Sequence, residues 1–391
     1  MGSNRAVVSV KAARAFRHLR PWCWRTDVLE SPSADAPGAV VNVVDQGGNF
    51  IGQAFYARTS PLALRLLTRR PPEEERVDDA FFKRRLEASL QRRAALGQRD
   101  ALRLVHAESD LLPGLLVDRY QGCLVLQSLS EGMDAREALL ARLLVELTGA
   151  TRVVARDDGS GRDFEGLVRE VRSLHGTGDT VVDVREGDNS FRVDVLHDMK
   201  TGSFLDQVDN HLLAGKLGGG RTLDCFSYHG GFALALAARS EEVLAVEQDA
   251  VAAERLRENA ARNGRRQVRV ETANAFDVLH DFDRAGERFD TVVLDPPGLA
   301  KRTKGPDAAM RAYRELNVRA LRLLQRDGLL VTCSCSGKVS VQAFEEMLLG
   351  AAEDVRRPIQ VLERRGPGPD HPALGGLPET EYLKAFFVRA L

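Results

Sequence analysis

A carboxylate and a thiol stand at the ends of two apolar segments about one helix apart. The first runs Phe289-Asp290-Thr291-Val292-Val293-Leu294 and ends in Asp295-Pro296-Pro297. The second runs Gly328-Leu329-Leu330-Val331-Thr332 and ends in Cys333-Ser334-Cys335-Ser336. Each reads as a short buried strand that stops at a reactive group, and strand ends of this kind line the ligand crevice of an open α/β sheet. A carboxylate and a thiol brought together there point to covalent attack on an electrophilic ring, with a second substrate nearby. The prolines after Asp295 can neither continue a ladder nor enter a helix interior, so they stiffen the turn that presents it. In an extended strand Cys333 and Cys335 share a face. Cys335 lies further along, past the apolar body, and is the better nucleophile candidate; Cys333 reads as a small core hydrophobe.

These groups need a frame to hold them. From about residue 190 the sequence alternates strand and helix patterns, which predicts a parallel, doubly wound α/β sheet. Within it, Thr222-Leu223-Asp224-Cys225-Phe226-Ser227-Tyr228-His229-Gly230-Gly231-Phe232 reads as a strand, a glycine turn and a helix start. Gly230 and Gly231 let backbone approach a ligand, and the helix start offers free N–H groups. The spacing is not G-x-G-x-x-G, which argues against a nicotinamide dinucleotide. Glu247 closes the next strand, where an acid can grip ribose hydroxyls. Asn274 follows the third strand and can hydrogen-bond an adenine edge.

Glycine turn, ribose acid, adenine-edge residue and Asp-Pro-Pro, in that order, resemble the layout of class I S-adenosyl-L-methionine-dependent methyltransferases. Within that layout Cys335 selects a chemistry. The C5 carbon of cytosine is a poor nucleophile, and a thiolate adding to C6 turns the ring into an enamine whose C5 can attack a sulfonium methyl. Asp295 would hold the N3/N4 edge and stabilise charge as sulfur adds. Methylation at nitrogen needs no such thiol.

Ahead of this region, residues up to about 72 read as a small β-barrel, with strands at Ala39–Val44, Phe50–Tyr56 and Leu62–Thr68. Pro71-Pro72-Glu73-Glu74-Glu75 reads as a linker. A helix over Asp79–Ala95, another over Asp134–Leu147 and interspersed strands predict a central α+β unit to about residue 190. The expected domains are therefore 1–72, 73–190 and 191–391.

Nearly the whole chain resembles the RlmI-type large-subunit ribosomal RNA cytosine-C5 methyltransferases. The matching stretches are Arg20-Pro21-Trp22 and Gly47-Gly48-Asn49-Phe50-Ile51-Gly52, then Leu112-Pro113-Gly114-Leu115-Leu116-Val117-Asp118-Arg119-Tyr120. Further on they are Lys200-Thr201-Gly202-Ser203-Phe204-Leu205-Asp206-Gln207, Cys225–Phe232, Leu294–Pro297, Ser334-Cys335-Ser336-Gly337, Asp370-His371-Pro372 and Tyr382-Leu383-Lys384. The resemblance implies a PUA barrel, a central α+β domain and a Rossmann-like catalytic domain. It implies Cys335 and Asp295 as catalytic residues. Asp206, Phe226, Ser227, Tyr228, Gly230, Gly231, Glu247, Asn274 and Asp295 would line the S-adenosyl-L-methionine site. It also implies large-subunit ribosomal RNA as partner and a homodimer as a possible assembly. The chain departs from the family pattern at Val208, Ala273-Asn274 and Gly298, where the family usually carries Arg, an acidic pair and Lys.

Composition bounds these expectations. The chain has 391 residues, enough for more than one domain, with 43% hydrophobic and 28% charged residues and a net charge of -1. That charge excludes a global basic field, so RNA contact would rest on local stretches: Arg14–Arg20, Arg65–Arg70 and Lys83-Arg84-Arg85. Trp22 and Trp24 could stack on a base, although tryptophans at alternating barrel positions are more often core. The five cysteines show no C-x-x-C and no zinc spacing. With no metal site, no signal-type segment from Met1 onward and no membrane-length apolar run, the expected location is the cytoplasm. Two other readings stay open. One is a methyltransferase of the same fold acting on a purine nitrogen, with Cys335 incidental. The other is a non-catalytic RNA-binding factor, favoured by Val208, Asn274 and Gly298.

Overall fold

The computed structural model describes residues 4–33, 36–177, 179–299 and 306–391; Met1-Gly2-Ser3 of the N-terminal reading lie outside them. The chain divides into two compact units. The first comprises Met1–Val184, Val193–Ser203 and Pro369–Thr380, the second Arg185–Arg192, Phe204–Gly368 and Glu381–Leu391.

The first unit carries two sheets. One has six strands in the order Trp22–Trp24, Leu62–Thr68, Phe50–Tyr56, Val40–Val44, Arg5–Val8 and Val28–Glu30. Ala6, Phe16, Val43, Ala54 and Leu64 fill its core. A helix at Val10–Arg17, which the basic stretch had concealed, buries Ala12, Ala13 and Phe16, and Ser9 caps it by accepting the Ala12 N–H. The other sheet runs Glu170–His175, Arg152–Asp157, Cys123–Ser128, Leu115–Tyr120 and Ala101–His106. Helices Asp79–Ala94 and Glu137–Thr148 bury Phe81, Phe82, Leu86, Leu140 and Leu144 in the core with it.

The helix expected over Asp134–Leu147 is broken: Glu131–Asp134 and Glu137–Thr148 are separate, with Arg136 non-helical between them. The Arg136 guanidinium lies 4.8 Å from the Phe55 ring centroid and donates to the carbonyls of Gly38 and Gly132. That side-chain anchorage overrides the local helical pattern. Several of the basic residues proposed as RNA contacts are engaged by other side chains within this unit. Arg65 pairs with Glu108 at 3.3 Å and Glu165 at 2.9 Å, Lys83 pairs with Glu146 at 2.6 Å, and Arg85 stacks over Phe81. The Trp22 indole N–H donates to Glu108, whereas Trp24 is 52% exposed and open to a partner.

The second unit is built on a seven-stranded sheet. Its order is Val268–Thr272, Ser240–Glu247, Gly220–Cys225, Phe289–Leu294, Leu324–Ser334, Lys384–Ala390 and Ile359–Arg365. The first five strands are parallel, as the alternation predicts, and Lys384–Ala390 runs antiparallel to both its neighbours. The last two strands were not read from sequence, because charged residues at their ends obscure short apolar centres. The central strands are buried on both faces, which is why their middles are apolar, whereas the edge strands Val268–Thr272 and Ile359–Arg365 carry charged, exposed residues. Leu223, Val292, Leu294 and Leu330 pack with Tyr313, Leu316 and Phe344 on one side, and Val293, Val331 and Cys333 with Ala214 and Phe232 on the other.

From Gly220–Cys225 the chain builds outward to one side through Ser240–Glu247; it returns on the other side through Phe289–Leu294. The carboxyl ends of the adjacent strands Gly220–Cys225 and Phe289–Leu294 therefore mark the switch point where open α/β sheets take ligands. Among the described residues no helix is long and apolar enough to cross a membrane.

Candidate active site

Cys225 ends the central strand, and the turn that follows is strained. Phe226 has φ 65°, Tyr228 48° and Gly230 92°. A non-glycine residue in the left-handed region costs about 1–2 kcal/mol, so this turn must be held. Phe226 and Ser227 N–H groups donate to the Val246 carbonyl at 2.9 and 3.1 Å. The Ser227 hydroxyl donates to the Asp224 carbonyl at 2.7 Å, and the Tyr228 N–H to Glu247 Oε2 at 2.8 Å. Gly231, the first residue of the helix Gly231–Ala237, is needed for clearance: a Cβ there would lie 2.2 Å from His211 Cε1. The His211 ring is itself fixed by Glu186 at 3.0 Å. Burial pulls that imidazole down, but the Glu186 carboxylate outweighs it and raises its pKa above the ordinary value.

Glu247 sits at its strand end with Oε1 accepting the Asp249 N–H at 2.8 Å, so both oxygens are oriented by backbone while each keeps a lone pair. Asn274 is the N-cap of Ala275–Ala285. Its amide oxygen, the atom an adenine amino group would need, already accepts the Phe276 N–H at 2.9 Å and retains one lone pair. Asp206 is buried, and its Oδ2 accepts the Tyr382 hydroxyl at 2.6 Å.

On the neighbouring strand, the Asp295 N–H donates to the Cys225 carbonyl at 3.4 Å, which ties the two strand ends together. Its Oδ2 accepts Gln207 Nε2 at 3.0 Å. The turn continues to Gly298, whose hypothetical Cβ would lie 3.6 Å from the Cys335 sulfur. Asp295 and Cys335 thus belong to one cluster at the carboxyl edge of the sheet. Cys335 is partly exposed, whereas Cys23, Cys123, Cys225 and Cys333 are buried. Burial raises the Cys333 thiol well above its usual range, with the Asp295 charge adding to the shift. The residues flanking Cys335 are clamped. The Tyr313 hydroxyl accepts from Ser334 at 2.9 Å and lies 3.1 Å from the Ser336 hydroxyl, and Lys384 Nζ donates to the Ser336 carbonyl at 2.7 Å.

Comparison with known proteins bears on this arrangement. Residues 103–386 match the family model described as S-adenosylmethionine-dependent methyltransferase, and residues 7–69 match the PUA-like domain model. The chain belongs to the S-adenosylmethionine-dependent methyltransferase family. One curated relative of this methyltransferase, from Tolumonas auensis, is 35% identical over 387 residues, covering 97% of each chain. Another, from Escherichia coli K12, is 32% identical over 399 residues, covering all of both. Both are named "Ribosomal RNA large subunit methyltransferase I". The solved structure of "a putative sam-dependent methyltransferase from Streptococcus mutans" shares the fold, with a TM-score of 0.83 at 16% identity over 98% of this chain and 99% of that one. The fold class read from sequence, a Rossmann-like methyltransferase domain with a PUA-like domain before it, therefore stands, as does S-adenosyl-L-methionine as cofactor.

The site fits that cofactor on an observation of its own. Asp224 is fully buried, and neither carboxylate oxygen makes a well-formed hydrogen bond; Ser227 and the Ala233 N–H favour its charge only weakly against the cost of burial. A buried carboxylate so weakly held suits a cationic ligand group, such as the ammonium of the methionine moiety. Sequence reading assigned Asp224 no role, although a lone acid inside an apolar strand was the available signal. Gln207, Tyr313 and Lys384 were likewise given none, because their work depends on contacts distant in sequence.

Burial pushes the Asp224 carboxyl up to about 7 from 3.8. A raised folded-state value means that the folded chain holds this proton more tightly than the unfolded one. The stability it contributes is fully present below 3.8 and is lost as pH climbs to about 7. Without cofactor, Asp224→Asn should therefore melt higher than wild type at pH 8. That advantage should be smaller at pH 5.5 by roughly 5 °C in differential scanning calorimetry. An advantage independent of pH would show that Asp224 is not ionised at a cost.

Proposed function

We propose that this methyltransferase forms 5-methylcytosine in large-subunit ribosomal RNA, with Cys335 adding covalently to C6 of the ring. The observation that carries this reading is the setting of the Cys335 sulfur. It is partly exposed beside the Asp295-Pro296-Pro297-Gly298 turn, while the other four thiols are buried. Methylation of a ring nitrogen gives such a thiol nothing to do. The names of the full-length relatives support the RNA class, and the PUA-like domain at residues 7–69 offers an RNA-binding module with Trp24 exposed on it.

Bound S-adenosyl-L-methionine supplies an electrophilic methyl. The Cys335 sulfur bonds to C6, and the electron pair of the C5–C6 double bond moves to C5, making that carbon a nucleophile for the methyl that the bound cofactor would supply. The C5 proton then passes to water, its bonding pair restores the C5–C6 double bond, and the C6–S bond breaks to return the thiolate. Asp295, held by Gln207 and the Cys225 carbonyl, binds the N3/N4 edge of the base and stabilises charge as sulfur adds. Glu247 would grip the ribose of the cofactor and Asn274 its adenine edge. Phe226, Ser227, Tyr228, Gly230 and Gly231 form its turn, while Asp206 and Asp224 complete the acidic end. The cytosine must be unstacked to reach this crevice. The working division is a barrel at 1–72, a central domain at 73–190 and a catalytic domain at 191–391.

RNA carrying 5-fluorocytosine tests the covalent route, because fluorine cannot leave as a proton does. Incubated with enzyme and cofactor, it should accumulate a stable protein–RNA adduct whose peptide maps to Cys335. Turnover of the unmodified RNA with no adduct from the fluorinated one would sink the proposal.

A further inference from the structure

Lys384 is 1% exposed, and its Nζ donates to two carbonyls, Ser336 at 2.7 Å and Tyr382 at 2.9 Å. Among the described residues no carboxylate pairs with it. A buried ammonium with only neutral acceptors is costly, because its charge is left uncompensated in a poorly polarisable interior. Its position explains what could compensate it. Lys384 is the register partner of Ser334 on the adjacent antiparallel strand, and the carbonyl it bonds belongs to the residue after Cys335. That bond holds the ammonium against the backbone of the Cys335 segment, where a charge on the sulfur favours the protonated amine.

We propose that Lys384 holds Cys335 as a thiolate, the ammonium and the reactive sulfur serving as each other's counter-charge at the end of the strand Leu324–Ser334. The inference rests on the reading of Cys335 as nucleophile and adds how that nucleophile is prepared. The thiol proton passes to water, and the S⁻/NH₃⁺ pair remains. Lys384 acts through the sulfur, so it is a positioning residue. The remaining titratable groups at this end do not offer a substitute. Tyr313 is a phenol raised by burial and by the Cys335 charge, Cys333 is buried and raised, and Asp295 carries the wrong sign. Burial lowers the Lys384 pKa to about 8, and a charge on the Cys335 sulfur opposes part of that shift.

The test is the pH profile of Cys335 alkylation by iodoacetamide in the full-length protein, read by peptide mass spectrometry with Cys335→Ala as the blank. Wild type should show an apparent thiol pKa below the ordinary value of about 8.5. Lys384→Met should raise it by a unit or more, slowing alkylation at pH 7 about tenfold, and Lys384→Arg should recover much of the rate. An unchanged profile in Lys384→Met that still binds S-adenosylhomocysteine overturns the proposal. Should that variant fail to fold, the wild-type profile decides alone, and an apparent pKa at or above about 8.5 overturns it. This readout needs no RNA, so it can fail while 5-fluorocytosine trapping succeeds, and the reverse.

Discussion

Cys335→Ala is expected to reduce methyl transfer at least ~10³-fold while leaving S-adenosylhomocysteine affinity within about twofold. The size follows from the chemistry: without sulfur at C6, C5 never becomes an enamine carbon, and no neighbouring group can take over. The partly exposed sulfur fills no core cavity, so the fold should be nearly indifferent to its removal. Cys333→Ala is the matched control. That thiol lies in the apolar cluster with Val293, Val331 and Phe387, so its loss should lower stability by about 1 kcal/mol and spare most of the activity. Single-turnover transfer to target RNA, run beside calorimetric titration of the cofactor product, separates the two. Near-normal turnover in Cys335→Ala would favour nitrogen methylation instead.

Glu247→Ala should weaken S-adenosylhomocysteine binding about 100-fold, a change of roughly 2.7 kcal/mol. Two effects combine there. The variant loses the acid that would accept ribose hydroxyls, and it frees the Tyr228 and Asp249 N–H groups that Glu247 now holds at 2.8 Å each. Tyr228 at φ 48° has little reason to stay left-handed without that bond, so the turn should relax out of its binding shape. Glu247→Gln keeps one acceptor oxygen and should lose less. An unaltered affinity in the alanine variant would remove Glu247 from the cofactor site.

The main features of this site were legible in linear order because each chemical group stands at the end of an apolar run. A strand buried on both faces must be apolar along its length, and the residue at which that pattern stops is where the crevice begins. Asp295, Glu247, Cys335 and the Gly230-Gly231 turn all announce themselves this way. Arg65 and Arg85 illustrate the reverse. Their run of positive charge looked like an RNA contact, but carboxylates distant in sequence and an aromatic face take up the side chains. A charge pattern carries no record of its partners.

From its residues alone, the chain determined the parallel α/β frame, the order of its strand-end turns and the presence of a thiol one strand away from Asp-Pro-Pro, because hydrophobic period and strand-end chemistry are local properties. Only the tertiary structure decided which thiol is open and which is sealed. It also decided that the Asp224 carboxylate is buried without a well-formed hydrogen bond, and that a lysine from the antiparallel strand Lys384–Ala390 is buried against the Cys335 segment. Burial and charge pairing are sums over neighbours brought together by the sheet, and no window of sequence contains them.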